Sequence, residues 1–336
     1  MLRMAEAEKL EANEYRTLDL AFSVDCTGSM GPYIETVKTN IRTIVEEIVA
    51  SEKTEIRMAL VEYRDHPPQD ATFVTRVNDF TKSLPTMKSW LESCTAEGRG
   101  DTPEAVADAL QELTKLTWQP KSTKICVFIM DAPPHGLNVH GDGFPNGCPL
   151  ELDPMSITRK LAEKGITLYT VGCEPAVMPY KEFYTALAYL TGGQYVPLLK
   201  AAMLTRVIIG GTREELSLER WIAEADKEIQ EEASSGLPIN EGIISESVFK
   251  KLKAKGVTSL HLSRNKSALG DASEEAKRLS ALKNLAEVRQ NFKPHETVST
   301  DEASVEEEVY DCVEEGISKE QSVRLVKKAM ARSKRM

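Results

Sequence analysis

The stretch Leu18–Gly31, LDLAFSVDCTGSMG, constrains this chain more than any other. From Leu18 to Val24 it is almost continuously apolar, the pattern of a strand covered on both faces, as at the centre of a parallel sheet in an α/β fold. Asp25 is the first residue past the carboxyl end of that strand. Asp25, Thr27 and Ser29 fall at alternate positions, so an extended turn aims three oxygen-bearing side chains at one point, while Gly28 and Gly31 let the backbone bend tightly. One carboxylate and two hydroxyls form a hard, oxygen-only set that suits Mg²⁺ or Mn²⁺ and disfavours zinc.

Downstream, strand and helix patterns alternate. Ile34, Val37, Ile41, Ile44, Val45 and Ile48 recur at helical spacing, which predicts a helix over 33–50 packed on the sheet. Further strands are expected at 55–63, 71–80, 123–130, 166–172 and 194–197. Helices are expected around Trp90, from Pro103, and at 156–164, 181–190 and 213–233. This alternation predicts an α/β fold: a doubly wound, mostly parallel six-stranded sheet with helices on both faces, Rossmann-like in architecture. Asp25 then lies beyond a strand's carboxyl end, where open α/β sheets place their ligands.

Asp-Cys-Thr-Gly-Ser after an apolar strand resembles the D-x-[ST]-x-S motif of the metal-ion-dependent adhesion site (MIDAS) in von Willebrand factor A (VWA) domains. The resemblance implies two further ligands, a Thr from a Gly-rich turn before a helix and an Asp after the fourth strand. GRGDTPEAVADAL supplies Thr102, and the run ICVFIM ends at Asp131 in DAPPHG. VEYRDHPP, GDTPEA, DAPPHG and FPNGCP together are similar to the A domains of α-kinase-associated proteins and their kinase-free relatives, over residues 17–212. In that fold the strand at 71–80 is the antiparallel edge. Cys148 departs from the Asp often found at its place in α-kinase-linked relatives, and the residues after the A domain do not resemble an α-kinase catalytic domain, so kinase activity is not implied.

The implied metal site is Asp25, Thr27, Ser29, Thr102 and Asp131, binding Mg²⁺ or Mn²⁺. Three neutral hydroxyls leave a divalent cation incompletely neutralised, and an open coordination position attracts an outside carboxylate. The resemblance implies the same, with an Asp or Glu of a protein partner completing the metal shell. The loop 137–154 lies at the same edge and is placed to shape the partner site. Beside these residues, Asp101 reads either as a further ligand or, in preference, as a cap for the helix at Pro103, His135 and His140 as solvated loop histidines, Cys26 as facing the core, and Tyr63–His66 as rim or support.

Other chemistries find little support. A net charge of −10 opposes general nucleic-acid binding, which rests on Lys and Arg neutralising phosphates. No apolar stretch approaches the ~20 residues of a spanning helix, and MLRMAEAEKLEANEYR lacks the apolar centre of a secretory signal, so a cytoplasmic location is expected. Six cysteines, Cys26, Cys94, Cys126, Cys148, Cys173 and Cys312, are scattered without a C-x-x-C pair, indicating neither a disulfide framework nor a zinc site. GDGFPNG neither follows a strand nor opens a helix, and no P-loop ending is present. Haloacid-dehalogenase-like hydrolases want a second Asp where this chain has Thr27, and neither a nucleophile elbow nor an obvious Cys–His pair is legible. The expectation is a non-enzymatic, metal-dependent protein-binding module serving as an intracellular scaffold or adaptor. The alternative is a divalent-metal-dependent hydrolase acting on phosphate esters.

The remaining residues divide into an N-terminal arm at 1–16, an extension at 213–270 with a helix and a small helix and strand unit, and a helical charged tail at 271–336. Ser234, Ser235, Gly236 and Pro238 mark a linker. Val207–Gly211, VIIGG, precedes the helix from Arg213, and its two glycines read either as a hinge or as the junction of two helices. A single helix is expected over 273–291. The acidic segment 301–315 carries an apolar stripe expected to join a helical hairpin or bundle, and it partly resembles a ubiquitin-interacting helix, departing from it at Cys312 and Gly316. Ser318 and Gln321 make a capping box for a final basic helix, whose charge is expected to be neutralised within the chain or solvated.

Overall fold

The computed structural model describes residues 16–98, 100–234, 239–294 and 308–333. Six strands, β1 (Arg16–Asp25), β2 (Thr54–Tyr63), β3 (Thr75–Thr81), β4 (Thr123–Met130), β5 (Ile166–Cys173) and β6 (Tyr195–Leu198), form one sheet in the order β3-β2-β1-β4-β5-β6. All pairs are parallel except β2 with β3, which makes β3 the antiparallel edge. β1 is central, between β2 and β4. Asp25 pairs with Tyr63 and Val24 with Ile129, so Asp25, Arg64 and Asp131 emerge together at the carboxyl edge.

Alternation within the strands sends side chains to two layers. Leu18, Leu20, Phe22 and Val24 pack with α1 (Gly31–Glu52), α2 (Leu84–Ser93) and α6 (Leu204–Glu219). Ala21, Val61, Cys126 and Phe128 pack on the opposite side with α3 (Val106–Lys115), α4 (Pro154–Glu163) and α5 (Lys181–Leu190). Both faces are thus covered, which is why β1 could be almost wholly apolar. Its one buried acid away from the edge, Asp19, is bidentate with Arg57 at 2.8 and 2.7 Å and also accepts from the Ser122 hydroxyl.

The C-terminal region is mainly helical and packs back on the sheet domain. α7 (Ile222–Ser234), α8 (Glu241–Ala254) and α11 (Lys319–Ser333) share a core of Ala225, Ile229, Val248, Leu252, Leu325 and Val326. A small antiparallel sheet of β7 (Thr258–Arg264), β8 (Ser267–Ala268) and β9 (Tyr310–Gly316) lies against α6, in the order β8-β7-β9. α9 (Glu274–Ala281) and α10 (Leu285–Asn291) bury Ala276, Leu279, Leu285 and Val288 in the same core as α4 and α5. Among the described residues no helix is long and apolar enough to cross a membrane.

Five expectations need correction. The helix expected at 213–233 is instead the end of α6, which starts at Leu204, followed after a break at Arg220 and Trp221 by α7. Residues 207–211 lie inside the continuous helix α6, so Gly210 and Gly211 neither hinge nor join two helices. A Cβ at Gly210 would sit 2.6 Å from Leu262 Cδ1 and one at Gly211 3.0 Å from the Tyr169 ring, so both are small to admit close neighbours. Tyr310–Gly316 is a strand with alternating contacts to β7, which removes a helical hairpin and the ubiquitin-interacting helix. The helix expected at 273–291 breaks before Asn284, whose side chain accepts from the Glu287 amide and starts α10. The helix after Gly100 begins at Val106, because Glu104 still makes a bridge with Pro134. The N-terminal arm, most of the linker and residues 301–307 of the acidic segment lie outside the described residues.

The Ser318 and Gln321 capping box is present, with the Gln321 amide donating to the Ser318 hydroxyl at 3.1 Å. The final helix is neutralised within the chain. Arg324 meets Glu214 at 3.1 Å and Glu215 at 3.2 Å, Lys328 meets Glu215, and Arg332 meets Glu219.

Candidate metal centre

Asp25 ends β1 fully buried, because the strand runs through the core until the turn begins. Its Oδ1 accepts from the Thr27 amide at 2.9 Å and the Thr27 hydroxyl at 2.6 Å, the Asx-type bonding expected of an acid opening a tight turn. Its Oδ2 has no hydrogen-bond partner. Thr27 caps a single 3₁₀ turn, Gly28–Met30, which lifts Ser29 into solvent and turns Met30 into the core. Ser29 lies close enough to Asp131, the first residue past β4, for its hydroxyl to lower that carboxyl's pKa. Four of the five residues picked from the sequence are therefore gathered at one spot. Thr102, the fifth, is exposed on the loop before α3, and among the described contacts none joins it to the other four.

Three acids that the sequence reading did not place in the site also converge there. Glu104 is buried and its Oε2 is unpartnered. Asp65 follows β2 and accepts from the His66 amide and from His135 Nε2, both at 2.6 Å, while its Oδ2 is unpartnered. Asp101 accepts from the Gly143 amide through one oxygen, and its other oxygen is unpartnered, so it caps no helix. Glu104 was legible only as part of GDTPEA. Asp65 and Asp101 were seen but assigned to rim and cap.

Crowding shows in the acid strengths. Burial first, then Asp131, pushes the Asp25 carboxyl up to about 7. Burial, then Asp25, Asp65, Asp131 and Asp101, pushes Glu104 to about 11. Burial raises Asp131 against the lowering effect of Ser29. Orphaned buried carboxylate oxygens are uncommon in folded proteins. A set of them at one edge, with like charges raising one another's pKa, fits a divalent cation bound by hard oxygen ligands.

The supports are rigid. Arg64 donates to the Cys26 carbonyl at 3.1 Å and the Thr95 carbonyl at 2.8 Å, so its charge braces the turn rather than neutralising the acids. Tyr184 donates to the Ala132 carbonyl at 2.5 Å, fixing the loop after Asp131. Cys26 is buried as expected, with its sulfur 2.9 Å from that of Cys94. His135 corrects the reading of a solvated loop residue: it is buried, with Nε2 on Asp65 and Nδ1 on Asp142 at 2.7 Å. Burial alone would depress its imidazole, but the two carboxylates raise it to about 9. His140 is exposed, as expected.

Residues 19–188 match the family model for the von Willebrand factor type A domain. The α-protein kinase vwkA of Dictyostelium discoideum is 32% identical over 143 residues, 41% of this chain and 23% of that protein. A putative ariadne-like RING finger protein, R811, of Acanthamoeba polyphaga mimivirus is 26% identical over 200 residues, 57% of this chain and 19% of that protein. The chain thus spans about a quarter or less of the length of these relatives. Among solved structures, a von Willebrand factor type A protein from Catenulispora acidiphila superposes with a TM-score of 0.42 at 14% identity, covering 60% of this chain and 43% of that one. Proximal thread matrix protein 1 of the mussel byssus gives 0.39 at 13%, covering 58% and 44%. With the family model matched over half its length, and with the sheet order and edge acids described above, the chain belongs to the von Willebrand factor type A domain family.

Proposed function

We propose that this A domain is a divalent-metal-dependent protein-binding module, acting as a cytoplasmic scaffold or adaptor. Asp25, Thr27, Ser29, Thr102 and Asp131 would hold Mg²⁺ or Mn²⁺, and the ion would supply an electrophilic position for an Asp or Glu carboxylate of a protein partner. The observation that carries this reading is the orphaned Oδ2 of Asp25, buried beside Asp131 and directly beneath the exposed Ser29 turn. Thr27 fixes the Asp25 carboxylate in one orientation through two bonds, and the Ser29 hydroxyl lies near Asp131. Thr102 stands at the solvent side, where a partner would arrive. Asp65 and Asp101 add negative charge nearby, and a bound cation would favour ionisation of Glu104, which burial and its acidic neighbours otherwise hold protonated.

Calorimetric titration with Mg²⁺ alone tests the site. One saturable event per chain, lost in Asp25→Ala, is expected; equal binding by the variant would place the ion elsewhere. Capture of partners with and without chelator then tests the binding role, and changing one acidic residue of a captured partner to its amide should abolish capture. Phosphate release that needs the metal and disappears in Asp25→Ala would favour the hydrolase alternative and overturn the adaptor reading.

A further inference from the structure

A second constellation lies at the same edge. His66 follows β2, Asp108 is in the first turn of α3, and Cys148 is in the long loop before α4. His66 Nε2 is 2.9 Å from Asp108 Oδ2, and Cys148 Sγ is 3.2 Å from that oxygen and 3.7 Å from Nε2. Zinc bonds of about 2.0 Å to N and O and 2.3 Å to S put the corners of a tetrahedral site about 3.3 to 3.6 Å apart. The three atoms stand close to that spacing without an ion. We propose that His66, Asp108 and Cys148 form a zinc site, with water as the fourth ligand.

The arrangement is not that of a nucleophilic triad. A Cys–His–Asp triad needs the acid on the imidazole nitrogen opposite the thiol. Here Asp108 and Cys148 both converge on Nε2, which leaves neither to orient the ring for the other. Convergence on one point is what a metal requires. The sulfur also accepts from the backbone amide of Leu150 at 3.3 Å, but burial and Asp108 push the thiol up to about 12, so a metal must displace its proton. Charge balances as well: one thiolate, one carboxylate and a neutral imidazole bring −2 to a cation of +2, leaving a buried site without net charge. On binding, the Cys148 thiol proton, now donated to Asp108, leaves to solvent, and the His66 proton held on Nε2 against Asp108 shifts to Nδ1, freeing Nε2 for the metal.

A cavity of ≈ 10 Å³ is lined by Asp108 and Cys148 together with Glu104 and His135. That is space for about one water. The Phe144 and His66 rings meet edge to face with their centroids 5.8 Å apart. Ligand chemistry separates this site from its neighbour. Sulfur and imidazole select zinc over magnesium, whereas the oxygen-only group around Asp25 selects the reverse. The three ligands are far apart in sequence, so no C-x-x-C or H-x-x-H spacing announces them.

The test uses the full chain stripped of metal by chelator. With excess Mg²⁺ filling the oxygen-only site, cobalt(II) is expected to bind one per chain with a thiolate-to-cobalt charge-transfer band in the near ultraviolet and the intense visible bands of a tetrahedral ion. Zinc should displace it and excess Mg²⁺ should not. Cys148→Ser should abolish the thiolate band, and His66→Ala should weaken zinc by more than about a hundredfold. Asp25→Ala should leave the band intact, so this proposal and the magnesium reading fail independently. In the unaltered chain, zinc should block alkylation of Cys148, read by peptide mass, which decides the matter if a variant does not fold. Absence of cobalt binding, a thiolate band that survives in Cys148→Ser, or Cys148 alkylated equally with and without zinc would overturn the proposal.

Discussion

Asp25→Asn is expected to stabilise the chelated protein while abolishing its response to magnesium. Burial, with Asp131 next, raises the Asp25 carboxyl from its ordinary 3.8 to about 7. An acid held more tightly protonated in the folded state contributes stability below its unfolded pKa and loses it as pH rises through the folded value. Here that window runs from 3.8 to about 7. The span corresponds to about 4 kcal/mol at roughly 1.4 kcal/mol per tenfold, and a chelated sample at a pH above the window bears nearly all of it. Asparagine removes the charge and keeps an oxygen for the Thr27 amide. It weakens the bond from the Thr27 hydroxyl, a loss of about 1 kcal/mol. The net gain is about 3 kcal/mol, or roughly 6–12 °C in Tm for a domain of this size.

Magnesium closes the gap. At a hundred times its Kd the ion adds about 2.7 kcal/mol to the unaltered protein, and nothing to a variant that cannot bind it. Thermal unfolding of both proteins, each in chelator and in magnesium across the pH window, gives four curves. If the variant unfolds several degrees below the unaltered protein in chelator, Asp25 is a structural hydrogen-bonding residue rather than a strained charge. An equal magnesium shift in both would refute the site.

Three further outcomes can be checked by urea unfolding. Glu215→Ala should cost about 3–5 kcal/mol, because it leaves Lys328 and Arg324 buried against one fewer carboxylate, and adding Lys328→Met should recover part of that loss. Burial opposes it, but Lys328 and Arg324 hold the Glu215 carboxyl below its ordinary 4.5, so its contribution is complete above that value and is lost as pH falls through the lowered one. Unfolding free energy should drop on acidification for the unaltered chain and less so for Glu215→Ala. Gly193→Ala should cost about 3 kcal/mol or more, since its Cβ would lie 2.0 Å from the Leu168 carbonyl oxygen and neither backbone can yield; a loss below about 1 kcal/mol would show that this turn repacks freely.

The sheet was legible because its rules are local. Leu18–Val24 had to be buried on both sides, and helices of period near 3.6 between apolar strands leave few ways to arrange six strands. The C-terminal region was less legible because its order depends on partners distant in sequence. Tyr310–Gly316 carries as many acids as an exposed helix would, and it becomes a strand because β7, some fifty residues earlier, offers it an edge. Gly210 and Gly211 look like a hinge by conformational freedom alone. Leu262 and Tyr169, pressed against them, show that they are absent side chains, a property visible only when both surfaces are present.

The candidate site divides along the same line. Asp25, Thr27 and Ser29 lie within five residues, so their convergence follows from strand geometry and could be read directly. Asp131 required knowledge of which strand neighbours β1, which the resemblance supplied and the pairing of Val24 with Ile129 explains. Glu104, Asp65 and the Asp142–His135 pair required the loops themselves. A solvated histidine and one clamped between two carboxylates have the same sequence neighbourhood; what separates them is that Asp142 accepts from the Gly136 and Phe144 amides and so folds its loop back over His135. The same fold-back brings Cys148 to His66 and Asp108. The loop at 137–154 therefore organises polar groups for both edge clusters, and its own sequence, rich in Gly, Asp and Asn, shows a loop without showing what it holds.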